Sequence, residues 1–386
     1  MSARNSACIS KARLSALAGH PYGRMSRALI AGAVTLTATA MTAPAIALAG
    51  PAPGGLAQQP AAASWNIVRT VHARGGPLVT AVTALGARDA WAFEQGGLPS
   101  ARPAAFRLSG TTWKRAPFPG RAGESVPAAD SSSPANVWAV TSKLASSRAL
   151  RWNGSRWQAT GTLPTLIDDV VVISQTDVWA FSQPGLRGSG AWHFNGHHWL
   201  RQAAGHGLSA GSALSAHSIW AVDGKTVAHW NGMRWTRTSV ARLLPPAGQL
   251  SSPRLTAIFA SSASSVWAVG TGGREDEGGP AVVLHFNGHR WSRAALDASA
   301  GDPALAQVAP DGQAGLWIPV PSADGIPFRM LRFSAGHLSS VTMPVSGRKL
   351  DVLAVAAHGG TAFSVGFTHV QDNIGVRVAG VILKFS

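Results

Sequence analysis

A short β-prone run built round an aromatic residue recurs seven times along this chain. The copies are Ala90-Trp91-Ala92-Phe93, Val137-Trp138-Ala139-Val140, Val178-Trp179-Ala180-Phe181, Ile219-Trp220-Ala221-Val222, Val266-Trp267-Ala268-Val269, Leu316-Trp317-Ile318-Pro319 and Ala362-Phe363-Ser364-Val365. Their lead aromatics follow one another at intervals of 47, 41, 41, 47, 50 and 46 residues. A period of this size marks a repeat architecture, in which one supersecondary unit buries its apolar face only by stacking on the next copy.

The first 49 residues stand apart. Arg24 and Arg27 precede an apolar, small-residue run from Ala28 to Ala43, and Ala47-Leu48-Ala49 offers an A-x-A cleavage site before Gly50. The segment therefore reads as a secretory signal, with Met25 as an alternative start that would give a shorter charged region. The run is interrupted by Thr35, Thr37, Thr39, Thr42 and Pro44 and is short for a membrane span of ~20 apolar residues, so no stable span is expected after cleavage. No twin arginine precedes it, which favours the general export route and a secreted, extracellular product. Residues 50–63 read as a linker and 64–386 as the folded part.

Cleavage removes the only cysteine, Cys8, and the only tyrosine, Tyr22. An exported chain without thiols must be stabilised by packing alone. Five of the 33 basic residues and none of the 17 acidic ones lie in the signal, so the remainder is still basic.

The best-formed unit runs from Leu255 to Leu296 as four strands: Leu255–Phe259, Ser265–Gly270, Ala281–Phe286 and Arg290–Ala294. Asn287-Gly288 between the last two is a strong hairpin signal, since a type I′ turn requires positive φ at both central residues. The same pair recurs at Asn153-Gly154, Asn195-Gly196 and Asn231-Gly232, with Ser109-Gly110 as a weaker form. A two-residue loop sets Leu284 opposite Trp291, and likewise Phe106 opposite Trp113, Leu150 opposite Trp157, Trp192 opposite Trp199 and Ala228 opposite Trp235. It also sets Arg151 opposite Arg156, His193 opposite His198, His229 opposite Arg234 and His285 opposite Arg290, giving an outer basic rim.

Four antiparallel strands per repeat predict an all-β, seven-bladed β-propeller. The last repeat has only three strands, Leu350–Ala356, Thr361–Phe367 and Gly380–Phe385, while Ser64–Arg69 is a spare strand whose Trp65 matches Trp291. Inserting that N-terminal strand into the last blade closes the ring and leaves no open edge there.

The pattern D-V-W-A-V-G followed by H-W-N-G-x-x-W resembles the tryptophan-rich propeller repeat of secreted actinobacterial proteins. It is distantly similar to kelch (galactose-oxidase-type) and tectonin-type propellers. The second strand does not end in a WD dipeptide, and the sialidase S-x-D-x-G-x-x-W box is missing. The resemblance spans residues 65–385 and implies an architecture, since propellers of these groups include enzymes, lectins and scaffolds.

Chemistry-bearing clusters are sparse. Asp89 and Asp177 sit at turns before the Trp strand, and Asp168-Asp169 point to opposite sides if they lie in a strand. His193, His229 and His285 fill one repeat position that Arg107, Arg151, Arg332 and Lys384 fill elsewhere, which argues for a structural or electrostatic role and against a metal site. The rim residues Arg151, Arg156, His229, Arg234, His285 and Arg290 are candidates to attract an anionic envelope polymer. Nucleic acid is not an expected partner and no cofactor is implied.

Loops between second and third strands vary in every repeat, and variable loops on a rigid scaffold usually carry binding. The candidate ligand residues there are Arg274, Glu275, Asp276, Glu277, Asp324, Asp372 and Asn373. The sequence thus points to an exported, monomeric, non-catalytic protein that binds a glycan, an envelope polymer or a protein through its loop face. The alternatives are a propeller-type hydrolase, lyase or oxidase, or a repeat lectin.

Overall fold

The computed structural model of the protein describes residues 63–386, except 73–75, 96–97, 183–184, 186, 205–206, 248–252, 274–280, 296–306, 314, 321–327, 335–336, 345–348, 373–374 and the side chains of 349, 370–372 and 375–377. The expected signal and nearly all of the expected linker thus lie outside the described residues. Ala63–Ser386 forms a compact unit of its own.

Among the described residues, twenty-eight strands make seven four-stranded antiparallel sheets. Blades 1 to 6 span Leu78–Ala116, Ser125–Leu163, Asp169–Arg201, Ala210–Ser239, Arg254–Arg293 and Ala309–Val341, each with its strands in chain order. Blade 7 joins the three strands of Lys349–Phe385 to the N-terminal strand Trp65–Val71, which lies outermost. That strand runs antiparallel to the C-terminal one, with Trp65 opposite Phe385 and Val71 opposite Gly380. The innermost strand of every blade packs on those of its two neighbours, blade 7 on blade 1 included, so the ring is closed. The seven-bladed propeller and its closure by the N-terminal strand are as expected from the repeat.

The hairpin register differs from the expectation by two residues. Phe286 pairs with Trp291, His285 with Ser292 and Leu284 with Arg293. The turn is therefore the four-residue segment Asn287-Gly288-His289-Arg290, and the same holds at 153–156, 195–198 and 231–234. The asparagine side chain decides the loop length. In all four turns its Oδ1 accepts the backbone N–H groups two and three residues ahead, at 2.9–3.1 Å. The glycine then adopts φ of +91° to +97°, and a Cβ there would meet Ala135, Thr176, His217 or Ser264 of the neighbouring turn at 2.5–3.0 Å. Asparagine anchors the loop and glycine lets two turns of one blade pack together.

A two-residue shift keeps every side chain on its expected face but changes what it opposes. The residues flanking the turn become Leu108 with Trp113, Trp152 with Trp157, Phe194 with Trp199, Trp230 with Trp235, Phe286 with Trp291, Phe333 with Leu338 and Phe385 with Trp65. Each such pair receives the lead aromatic of the preceding blade. Trp91 packs on Trp152 and Trp157, Trp138 on Phe194 and Trp199, Trp179 on Trp230 and Trp235, and Trp220 on Phe286 and Trp291. Trp267 then meets Phe333, Trp317 meets Phe385 and Trp65, and Phe363 meets Trp113 across the closure. The repeated indoles therefore hold blade to blade, each ring contact contributing ~0.5–1.5 kcal/mol beyond the area it buries. Most lead aromatics are fully buried; Trp267 is the partly exposed one.

Candidate functional site

The corrected register removes the like-charge pairs. Arg151 faces Gln158, His193 faces Leu200, His229 faces Thr236 and His285 faces Ser292. On their other side the same residues lie opposite the lead aromatics of their own blades. His193, His229 and His285 stack on Trp179, Trp220 and Trp267 with ring centroids 4.6, 4.1 and 3.9 Å apart. Arg107, Arg332 and Lys384 place their charges over Trp91, Trp317 and Phe363 at 5.4, 5.4 and 5.8 Å. His229 and His285 thus cover inter-blade aromatic joints and Arg151 lies opposite the lead aromatic of its own blade, Trp138; all three are half-buried within the sheets, not members of an outer rim. Burial holds the His229 and His285 imidazoles below the usual histidine range, so both are neutral at pH 7. Arg156, Arg234 and Arg290 are the rim residues that remain exposed, at the fourth position of the Asn-Gly turns.

The residue at the start of the second strand secures the cover. Asp177 accepts from both Trp179 Nε1 and His193 Nε2, at 3.1 and 2.9 Å. Ser218 and Ser265 bond His229 and His285, and Asp89 pairs with Arg107 at 3.4 Å. In blade 6 Asp311 takes over from the turn: burial alone would raise its pKa, but Gln313 N–H, Arg332 and Gly315 N–H together hold the carboxyl below its usual value. The turn acids therefore do more than form turns.

The innermost strands carry the strongest pKa perturbations. Burial pushes Asp130 up to about 6, against the opposing effect of N–H donors from Val172 and Ser131. Burial likewise pushes Asp169 up to about 7; the Gly211 N–H opposes this, the Asp130 charge adds to it, and the Val170 N–H and Asp168 act more weakly. Asp130 Oδ2 accepts from Val172 N of blade 3 at 2.7 Å, and Asp169 Oδ2 accepts from Gly211 N of blade 4 at 2.8 Å. Ser212 Oγ and Gln307 Oε1 make the equivalent bonds to Ala260 N and Val355 N, each one blade further on. These side chains tie adjacent inner strands together. The sequence offered Asp168-Asp169 as the carboxylate pair, whereas the ring brings Asp130 and Asp169 into electrostatic contact from neighbouring blades.

On the loop face, three cations are tied to structure. Arg148 pairs with the buried Glu124 at 2.7 Å, Arg237 with Asp223 at 2.6 Å, and Lys143 Nζ donates to Ala122 O at 2.6 Å. Burial raises the Glu94 carboxyl, partly offset by the Arg115 charge. Of the expected ligand residues, Arg274, Glu275, Asp276, Glu277, Asp324 and Asn373 lie outside the described residues; Asp372 ends a strand, with its side chain outside them too. Among the described residues no group of three or more His, Cys, Asp or Glu could hold a metal ion, and no helix is long and apolar enough to cross a membrane.

Sequence reasoning missed Leu144. It sits in a two-residue loop between second and third strands, where Lys143 pairs directly with Ser146 and only Leu144-Ala145 intervene; the equally short loop of blade 4, between Asp223 and Thr226, has glycine at the same place. Leu144 has φ +55°, the one non-glycine positive φ among the described residues, and is 87% exposed. A two-residue turn with positive φ at its first position alone is one that glycine normally occupies. The adjoining loop of blade 1 exposes Leu98, and Ala101 O of that loop accepts from Gly123 N in the connection that Lys143 also grips.

No protein-family model matches this sequence, and no curated protein matches it either. Solved structures match in fold. That of YCF48 bound to D1 peptide gives a TM-score of 0.55 at 10% identity, covering 83% of this chain and 96% of that one. U3-55K gives 0.56 at 12%, covering 83% and 98%. The Chaetomium thermophilum Sqt1 bound to the N-terminus of the ribosomal protein L10 gives 0.53 at 12%, covering 83% and 99%. At such identities the likeness establishes the propeller fold and nothing finer.

Proposed function

We propose that this chain is an exported, non-catalytic propeller that holds a protein partner on its loop face. Leu144 is the observation that carries the reading. A bulky side chain kept at positive φ costs ~1–3 kcal/mol, and such strain persists where function requires it. Here the strained side chain lies in solvent, so folding gains nothing from it, whereas a partner that buries it would gain ~1.5–3 kcal/mol. Exposed Leu98 and the Ala101–Gly123–Lys143 linkage supply a rigid setting around it. Two of the matching propellers hold a peptide or a protein N-terminus, which supports the same class of partner. Asp130 and Asp169, the neighbouring carboxylates with raised pKa, are each committed to a blade joint through one oxygen, which counts against their use as an acid–base pair. Export rests on the signal-like first 49 residues and on the resemblance to secreted actinobacterial repeat proteins.

The test is site-specific photo-crosslinking in the native culture, with probes at positions 144 and 98 and a control probe at Met233 on the opposite face. The expected result is a protease-sensitive adduct from 144 and 98 only, lost in Leu144→Asp. A protease-resistant, periodate-sensitive adduct would make the partner a glycan. Equal labelling from all three positions would remove the reading.

A further inference from the structure

On the end of the propeller opposite Leu144, one turn position carries a basic side chain in four consecutive blades. On the end formed by the turns between first and second and between third and fourth strands, the described carboxylates are Asp89, Asp177 and Asp311. Each is already engaged by a cation or imidazole within its own blade: Asp89 by Arg107, Asp177 by His193 and Asp311 by Arg332. The exposed cations on this end have no such neutralisation. Arg156, His198, Arg234 and Arg290 occupy the same turn position in blades 2, 3, 4 and 5, all exposed. Among the described residues none of the four makes a side-chain hydrogen bond or ion pair. Exposed His217 and His289 stand in the same arc.

From this repeated arrangement we propose that the turn end of blades 2–5 is a docking surface for a linear, soluble phosphate polymer. It is a second surface, on the end opposite Leu144, and does not depend on the proposed protein partner. The cations are distributed one per blade along an arc, which suits a ligand with repeated charges better than a single small anion. Arginine, present in three of the four positions, presents a planar fork of donors that matches phosphate oxygens. Met233 is the only large hydrophobic exposed in these four turns, too little apolar area to seat the surface on a membrane.

The experiment uses fluorescent inorganic polyphosphate and the chain from residue 50 to 386, with binding measured from 50 to 300 mM salt at pH 7. We expect affinity to fall with salt. In Arg156→Gln/Arg234→Gln/Arg290→Gln it should drop on the order of tenfold to a hundredfold, with the log–log salt slope reduced by about 2, the change for three lost backbone contacts on a flexible polyanion. A charge-matched control, Arg102→Gln/Lys225→Gln/Arg242→Gln, removes three exposed cations from the loop end and should bind as the parent does. All six positions are exposed, and far-UV circular dichroism checks the fold of both variants. Equal losses in the two triple variants would mean that net charge alone attracts the polymer, and would overturn the proposal. So would absence of binding at 50 mM salt, or preferential binding to phosphatidylglycerol vesicles that Met233→Ser abolishes.

Discussion

Replacing Asp169 by asparagine tests how the inner ring is held. The carboxyl belongs to the first residue of blade 3, accepts the Gly211 N–H of blade 4 at 2.8 Å, and titrates at about 7 instead of 3.8. A folded pKa raised above the unfolded one means that the native state binds a proton the unfolded chain has released. The associated stability is complete below about pH 4, declines as pH rises, and is gone above about pH 7. From 3.8 to about 7 this amounts to about 4 kcal/mol as an upper figure. Asp169 is surrounded by protein yet keeps part of its surface open, and screening by that water reduces the working value to roughly 2 kcal/mol. The substituted amide keeps an acceptor for the Gly211 N–H and never ionises. Urea unfolding of Asp169→Asn should come close to the parent at pH 3.5 and exceed it by ~2 kcal/mol at pH 8, or about 2–4 °C in Tm for a domain of this size. A loss of equal size at both pH values would show that the hydrogen-bond geometry, not the buried charge, governs this joint, and the argument would be wrong.

Other consequences are as direct. Trp179→Ala removes a fully buried ring lodged against Trp230 and Trp235, and should cost ~3–5 kcal/mol; Trp291→Ala, half-buried at the outer strand, should cost clearly less, both by urea midpoint. Leu144→Gly should gain ~1 kcal/mol by relieving the positive φ while abolishing the crosslink expected at the loop face. Removing residues up to Val71 deletes the outermost strand of blade 7 and with it Trp65 from the Trp317 joint, so size-exclusion chromatography should show self-association through the bared edge. Arg148→Met leaves the Glu124 carboxylate buried without its partner and should destabilise by ~3–5 kcal/mol; Arg148→Met/Glu124→Gln should recover most of it.

What the sequence made legible was whatever repeats. The lead aromatics, the Asn-Gly turns and the spare Trp65 strand each occur at a fixed place in a period, and together they define seven blades and their closure. The turn register was misread because Asn-Gly is shared by two-residue loops and by the four-residue loop closed through asparagine Oδ1; the difference lies in a side-chain hydrogen bond that leaves no mark on residue spacing. That one slip turned covers of the aromatic joints into an apparent rim. With the register corrected, one repeat position proves to serve two elements at once: the imidazole or cation seals the outer side of an indole whose other side belongs to the next blade.

This double use explains why His and Arg exchange so freely at that position. The site asks for a flat or delocalised group able to lie on an indole and reach an acceptor at the start of the second strand, and imidazole and guanidinium both do so. Asp accompanies Arg107 and His193 and Ser accompanies His229 and His285, while in blade 2, where Arg151 fills the position, the neutral Asn136 stands there and accepts from Trp138 Nε1. In blades 1, 3 and 6 an acid matches the basic group at the joint. The turn-end arginines at 156, 234 and 290 lie outside that matching and form an unneutralised arc on the end of the ring opposite the one on which Leu144 is exposed.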